Sequence, residues 1–310
     1  MTGKKRNQSP LLADATLMGP VYMLAAALLF TVLNLCIKLM GPQYSPWHIG
    51  FFRFAGGVLI LVTLFSRGSN PFRSKNVRLL VIRGCTGTVA FLGLVTALRQ
   101  LPISSALVIF YSFPSFAALF GFVLYGEQVG KWQMGCIALA LAGIGVMLGV
   151  PVSGTLLGQL AAVVGAIFAG LTVTLIRSLR ATNGPAVIYL YFCSMGTLVT
   201  LPVFVANPVI PADSREWLLV AGIVSTSVAA QLLMNQGFFY CRGWEGGVLM
   251  SSEVLFTALA GIVLMGDPTG LGFYLGAGLI VASVVALSLK RRSPALVVLP
   301  AQERSENPAP

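Results

Sequence analysis

Ionisable side chains are scarce in this sequence, so each one inside an apolar run is a candidate for chemistry. Glu253 stands in Val248-Leu249-Met250-Ser251-Ser252-Glu253, roughly 10 Å inside its run at a helical rise of 1.5 Å per residue. A charge held in hydrocarbon costs about 2.5–3.5 kcal/mol on insertion scales. A glutamate that deep is too short to reach the interface comfortably. Two readings are open for it. It takes up and releases a proton, or pairs with a cationic substrate group; or it is a structural acid bonded to backbone or to a polar neighbour. Arg53, in Phe51-Phe52-Arg53-Phe54, either binds a substrate carboxylate or a headgroup, or snorkels or pairs between helices. Lys38 shares one helical face with Thr31 and Asn34 at the 3–4 residue spacing of a lumen-facing stripe, with snorkelling as the equal reading. For Arg83 snorkelling is the expected role. For Arg99 it is interfacial anchoring, with a gate residue as the alternative.

Uncharged polar residues add to this set. Ser227, Gln231 and Asn235 recur at i, i+4, i+8, and a helix face carrying amides must turn toward protein or water. Met250, Glu253 and Thr257 form a second stripe. Tyr111, Ser112 and Ser115 flank Pro114, which removes a backbone donor, frees a carbonyl of the preceding turn and so breaks or kinks a helix. The candidates for substrate binding or coupling are Glu253, Asn34, Lys38, Arg53, Tyr111, Ser112, Gln231, Asn235 and Thr257. Glu127 and Asp267 end their runs in Gly-bounded turns and are expected to anchor those turns, accepting backbone N–H bonds from the next helix. His48 and the tryptophans Trp47, Trp132 and Trp217 mark run starts, as interfacial residues do. The five cysteines have no metal-ligand or redox spacing and read as small apolar core residues.

The elements that position these residues follow from composition. Hydrophobic residues make up 56% of the chain and charged ones 9%, against roughly a quarter charged in soluble domains. Runs of about 20 residues without strict alternation indicate helices rather than barrel strands. Ten spans are expected: Pro20–Met40, Trp47–Phe65, Arg78–Leu98, Ile103–Tyr125, Trp132–Val150, Gly154–Ser178, Pro185–Val205, Trp217–Tyr240, Gly247–Met265 and Leu271–Leu289. The fold class is therefore an all-α polytopic membrane protein. No short apolar region ending in a cleavage site precedes the first span, so no cleaved signal peptide is expected.

The net charge of +11 is explained by topology. With the N-terminus inside, Lys4, Lys5, Arg6, Arg67, Arg73, Lys75, Arg78, Lys131, Arg177, Arg180, Arg242, Lys290, Arg291 and Arg292 all face the cytoplasm. Only Arg99 and Arg215 remain opposite. Both termini are thus expected in the cytoplasm of a plasma (bacterial inner) membrane. The basic balance needs no nucleic-acid partner.

An offset of about 140 residues places Glu127 on Asp267 and Ala106 on Gly246, as in a duplicated unit. Five spans per unit is odd, so the copies lie inverted about a midplane site. The divisions are a cytoplasmic N-terminal segment 1–17, a first repeat 18–150, a second repeat 154–289 and a disordered cytoplasmic tail 290–310. Gly154/Gly158, Ala161/Gly165 and Gly272/Gly276 read as small-xxx-small packing pairs.

Leu101-Pro102, Ala106, Pro114, Leu124-Tyr125-Gly126-Glu127 and Gly143, with Phe51-Phe52-Arg53 upstream, resemble the EamA-type half of the drug/metabolite transporter superfamily. The resemblance extends over both halves, although Asp267 stands where Glu is usual and Val254 where Pro is common. It implies a secondary transporter of small organic molecules, of the metabolite or drug exporter type, working by alternating access. Proton coupling through Glu253 is one option. A lipid or lipid-linked-sugar flippase, or an exchanger or importer of a small metabolite, is the alternative. No Walker-type phosphate loop is present. One histidine and one deep carboxylate nominate no acid–base pair for an enzyme, and no cofactor or metal is implied. Expected partners are a small-molecule substrate and membrane lipids, with monomer and homodimer both open. A topology reporter fused after Arg292 should be active only in the cytoplasm; a periplasmic signal would overturn the orientation.

Overall fold

The computed structural model of the protein describes residues 10–65, 74–101, 103–148, 155–265 and 270–289. Among them, twelve helices follow one another and no strand occurs. They are α1 Pro10–Leu39, α2 Pro46–Phe65, α3 Val77–Gln100, α4 Ile103–Phe110, α5 Phe113–Tyr125, α6 Lys131–Leu148, α7 Leu156–Leu179, α8 Pro185–Ala206, α9 Ser214–Tyr240, α10 Gly243–Met250, α11 Ser252–Met265 and α12 Leu271–Leu289. Helices satisfy their own backbone groups, which hydrocarbon cannot do for them. Six of them, α1, α2, α3, α7, α8 and α9, are individually long and apolar enough to cross a membrane. The pairs α4/α5 and α10/α11 each make one interrupted span, and α6 and α12 complete ten. Leu218 is 73% exposed and Val263 79% exposed, so the outer surface of the bundle presents hydrocarbon-compatible side chains.

Local chemistry sets the ends. Pro46 and Pro185 open α2 and α8, where a missing N–H costs nothing. Asp213 Oδ1 accepts the Glu216 N–H at 2.7 Å and caps α9. Thr155 caps α7 through the Gly158 N–H, so that helix starts at Leu156 rather than at the expected Gly154. The first helix runs back to Pro10 with Pro20 inside it, because the residues ahead of the apolar run include the good helix formers Leu, Ala and Met.

Helix packing reproduces the duplication. α1 lies on α9 as α3 lies on α7; α5 meets α7 as α11 meets α1; α3 meets α8 as α2 meets α9; and α2/α8 and α6/α12 map onto themselves. The halves are exchanged by a pseudo-two-fold relation, and five crossings each make them inverted. The α3/α7 seam depends on small residues. A Cβ at Gly93 would lie 2.7 Å from the Ala161 carbonyl oxygen and 2.9 Å from the Gly165 Cα. The expected pair Ala161/Gly165 therefore does let two backbones approach. Gly154 and Asp267 lie outside the described residues.

Polar contacts tie both ends of the bundle. At the α1–α2 end, the Arg99 guanidinium donates to the carbonyls of Gly41 and Tyr44. The Tyr44 hydroxyl donates to Glu216 Oε2 at 2.7 Å, and Gln43 Nε2 donates to Oε1 at 2.7 Å. This loop thus clasps the C-terminus of α3 to the N-terminus of α9. His48 is buried there, accepting from the Ser45 N–H at Nδ1 and lying 2.7 Å from the Asn207 carbonyl at Nε2. Trp47, Trp132 and Trp217 are exposed at helix starts, as a belt requires.

At the other end, the Glu127 carboxylate pairs with Arg177 of α7. This corrects the expected partner: a guanidinium on a neighbouring span reaches Glu127, in place of the backbone of the next helix. Arg180 donates to Gln236 at 2.7 Å, and Asn183 donates to the Lys75 carbonyl at 3.0 Å. Cys136, Cys193 and Cys241 are buried, but Cys85 is exposed on α3, so only part of the cysteine set is core.

Gly93→Val should lower the unfolding temperature of the purified protein, through a packing penalty on the order of 1–3 kcal/mol; an unchanged temperature would refute the seam. The clasp has a pH signature. Burial, then the bond to Glu216, pushes the Tyr44 phenol up from its ordinary 10.0 to about 12. A raised folded-state value means that its stabilisation is complete below pH 10 and fades as pH rises toward 12. Thermal stability should therefore fall across that window more steeply in the parent protein than in Tyr44→Phe.

Candidate functional site

Each half interrupts its fourth span at the same place. In the first half Tyr111 and Ser112 separate α4 from α5, and Pro114 follows at the start of α5. In the second half Ser251 separates α10 from α11, without a proline. A serine hydroxyl bonds back to the preceding turn at each break. Ser112 Oγ donates to the Ile109 carbonyl at 2.7 Å, and Ser252 Oγ donates to the Leu249 carbonyl at 2.7 Å. Hydroxyl and carbonyl are related across the halves by one offset, 252 against 112 and 249 against 109. Sequence reasoning assigned a break only to the first half. Its signal in the second was the Ser251-Ser252 pair at the repeat offset, since serine can bond its own helix and loosen it.

The two broken spans meet. Gly247 of α10 lies against Phe113 and Pro114, where an added Cβ would come within 3.0–3.1 Å of those side chains. Between the breaks is a cavity of about 130 Å³, large enough for several waters or a small organic molecule. Its walls come from both halves, from α1, α2, α3, the α4/α5 break, α7, α8, α9 and the α10/α11 break. α6 and α12 contribute no lining residue and pack on each other.

Glu253 lies in the first turn of α11, is 6% exposed and lines the cavity. A carboxylate at a helix N-terminus faces the positive end of the helix dipole. Its partners come from the other half. Asn34 Nδ2 donates to Glu253 Oε1 at 2.7 Å, and Tyr111 lines the same cavity. Thr31 Oγ1 donates to the Glu253 backbone carbonyl at 3.4 Å, and Thr257 donates to Thr31 at 3.3 Å. One acid thus joins α11 to α1 of the other half.

Two arginines face the same cavity. Arg53 is 3% exposed; its Nε donates to Ser227 Oγ at 2.6 Å, and Ser227 also meets the Tyr189 hydroxyl at 2.9 Å. Its guanidinium carbon lies 4.1 Å from the Phe91 ring centroid. Arg83 is 1% exposed, with its guanidinium carbon 4.3 Å from the Phe192 centroid. Arg83 was expected to snorkel, and Arg53 either to bind substrate or to snorkel or pair between helices. Neither snorkels, because their side chains turn inward between aromatic rings instead of running to an end of the bundle. Among the described residues neither makes an ion pair. Arg83 is the cavity residue that sequence reasoning missed. Its signal was a position shared with Thr86 and Gly87, one turn along the α3 face that meets the cavity.

The remaining candidates divide. Gln231 lines the cavity beside Met234. Ser227 and Asn235, on the same face of α9, are also buried, Asn235 donating to the Pro185 carbonyl at 3.1 Å. Ser112 is engaged by its own helix and Thr257 by Thr31; neither lines the cavity. Lys38 departs from the expected stripe. Thr31 and Asn34 turn inward, but Lys38, in the last turn of α1, is exposed and contributes nothing to the walls.

The site can hold a small molecule between two inverted halves, with one acid bonded across their interface and two cations beside it. Residues 17–149 and 156–289 each match the EamA-like transporter family. A protein named as a pseudopaline exporter, from Pseudomonas aeruginosa, is 25% identical over 276 residues, covering 88% of this chain and 97% of its own. Human solute carrier family 35 member G1 is 22% identical over 298 residues, covering 88% and 80%. A protein crystal structure superposes with a TM-score of 0.74 at 22% identity, over 89% of this chain and 97% of that one, a likeness of fold. The chain belongs to the EamA-like transporter family, and is a transporter rather than an enzyme.

Proposed function

We propose that this protein exports a small organic molecule by alternating access, and that Glu253 couples the movement to protons. The observation that carries the reading is the bond set of that acid. Glu253 belongs to the second repeat, while Asn34, which donates to its carboxyl group, belongs to the first. An ionised carboxylate accepts that bond fully; a protonated one carries a donor and keeps less acceptor capacity. Protonation therefore weakens a contact between the two halves whose relative rocking exposes the cavity to either side. Export as the direction is supported by the relative named as a pseudopaline exporter. The basic residues support cytoplasmic termini in a plasma membrane.

Alternating access requires each tied end to open in turn. The clasp of Tyr44, Gln43 and Arg99 closes one end. The Glu127–Arg177 pair and the Arg180 contacts close the other. Contacts of this kind, few and at the bundle ends, can exchange while the helix seams stay packed.

The test is Glu253→Gln in proteoliposomes, with the solute that most stabilises the purified protein in a thermal-shift screen. Uptake driven by a pH gradient should fall by more than about tenfold, while counterflow exchange of labelled for unlabelled solute is retained. Unchanged pH-driven uptake would remove the proton role. Loss of both activities in a variant that still binds solute would make Glu253 structural.

A further inference from the structure

We infer that the transported molecule is a small organic acid whose carboxylate is bound by Arg83, with Gln231 as a second donor. This rests on the transporter reading and names its substrate class.

The first argument is the direction of unmet hydrogen bonding. Among the described residues lining the cavity, the buried side-chain atoms without a partner are Arg83 Nε, Arg83 Nη1 and Gln231 Nε2. All three are donors. A ligand that completes them must offer acceptor atoms, and an ammonium group offers none. Arg53 is differently placed, since Ser227 and Phe91 already hold its guanidinium. It supplies charge and leaves Arg83 as the docking cation.

The second argument is charge. The ionisable cavity residues with formal charge are Arg53, Arg83 and Glu253, so an ionised Glu253 leaves one positive charge in excess. A buried cation with no anion beside it and two donor atoms unpartnered is costly. The Phe192 ring offsets part of that cost, and a monoanion offsets the rest. A carboxylate fits that count better than a doubly charged phosphate.

The third argument is the remainder of the wall. Phe30, Leu33, Phe110, Phe113, Met234 and Met250 give it an apolar surface, which suits an acid with a hydrocarbon or aromatic body. Pockets that bind such ligands combine an apolar lining with a few placed polar groups.

The experiment uses the full-length purified protein and matched triplets of one carbon skeleton: phenylacetate with phenylacetamide and phenethylamine, and hexanoate with hexanamide and hexylamine. Affinity is read from ligand-dependent thermal shifts. The acids should bind, and bind more tightly than their amides and amines. In Arg83→Gln the acid affinity should drop roughly ten- to a hundredfold, the span of a charge-assisted hydrogen bond, and Arg83→Lys should restore part of it. If Arg83→Gln fails to give a monodisperse protein, Arg83→Lys and the parent's own ranking of acid over amide still decide. Binding of amides or amines as tightly as acids, acid binding indifferent to both Arg83 variants, or no binding of either acid would each overturn the assignment. Transport of the bound compound is measured separately in proteoliposomes. An amine or amide that is bound and carried would sink the anion assignment and leave the transporter reading standing.

Discussion

Backbone groups in hydrocarbon have no water to fall back on, and each one left unpaired costs several kcal/mol. This chain nevertheless interrupts a helix twice, once in each repeat. It meets the constraint locally at both places with a serine hydroxyl bonded to the carbonyl three residues before it. That solution frees the adjoining residues, Tyr111 on one side and Glu253 on the other, to face a shared cavity. The seams around it follow from the same constraint. Gly93 lets two helix backbones approach, and Gly247 lets the α10 backbone close on the Phe113 and Pro114 side chains, so the breaks stay enclosed by protein.

Charge is the second demand on the same interior. Glu253 accepts from Asn34 of the opposite repeat, and Arg53 is held by a serine and aromatic rings. Arg83 lies over a ring, with its Nε and Nη1 unpartnered. A buried group so treated is a poor contributor to stability. Its retention is explained by a partner that arrives with the substrate. Family membership gives the architecture in which such a site works, and the side chains in the cavity give the chemistry.

Much of this was legible in the sequence. Span number, duplication and the inward stripe of Ser227, Gln231 and Asn235 came from apolar length, an offset near 140 and a four-residue period. So did the meeting of Glu253 with the break near Phe113 in one cavity. The rest needed three dimensions. Arg83 sits toward a span end, where length alone favours snorkelling; the Phe192 ring that turns it inward is over 100 residues away. Lys38 shared a helical face with Asn34, yet one more turn carried it out of the bundle. Glu127 read as a turn anchor, and its actual partner, Arg177, lies on the neighbouring repeat. The second break lacked the proline that announced the first. The misses at Arg83 and Glu127 concern partners distant in sequence, which no local pattern encodes.

The central claim is that the two inverted halves open the cavity to one side at a time. In a cysteine-free background, cysteines at Gln43 and Glu216 can be joined by a cleavable bifunctional thiol reagent, because those side chains already touch in the clasp. Transport measured in proteoliposomes should stop when the link is made and return when it is cleaved. Transport at the full rate with the link intact would contradict the account.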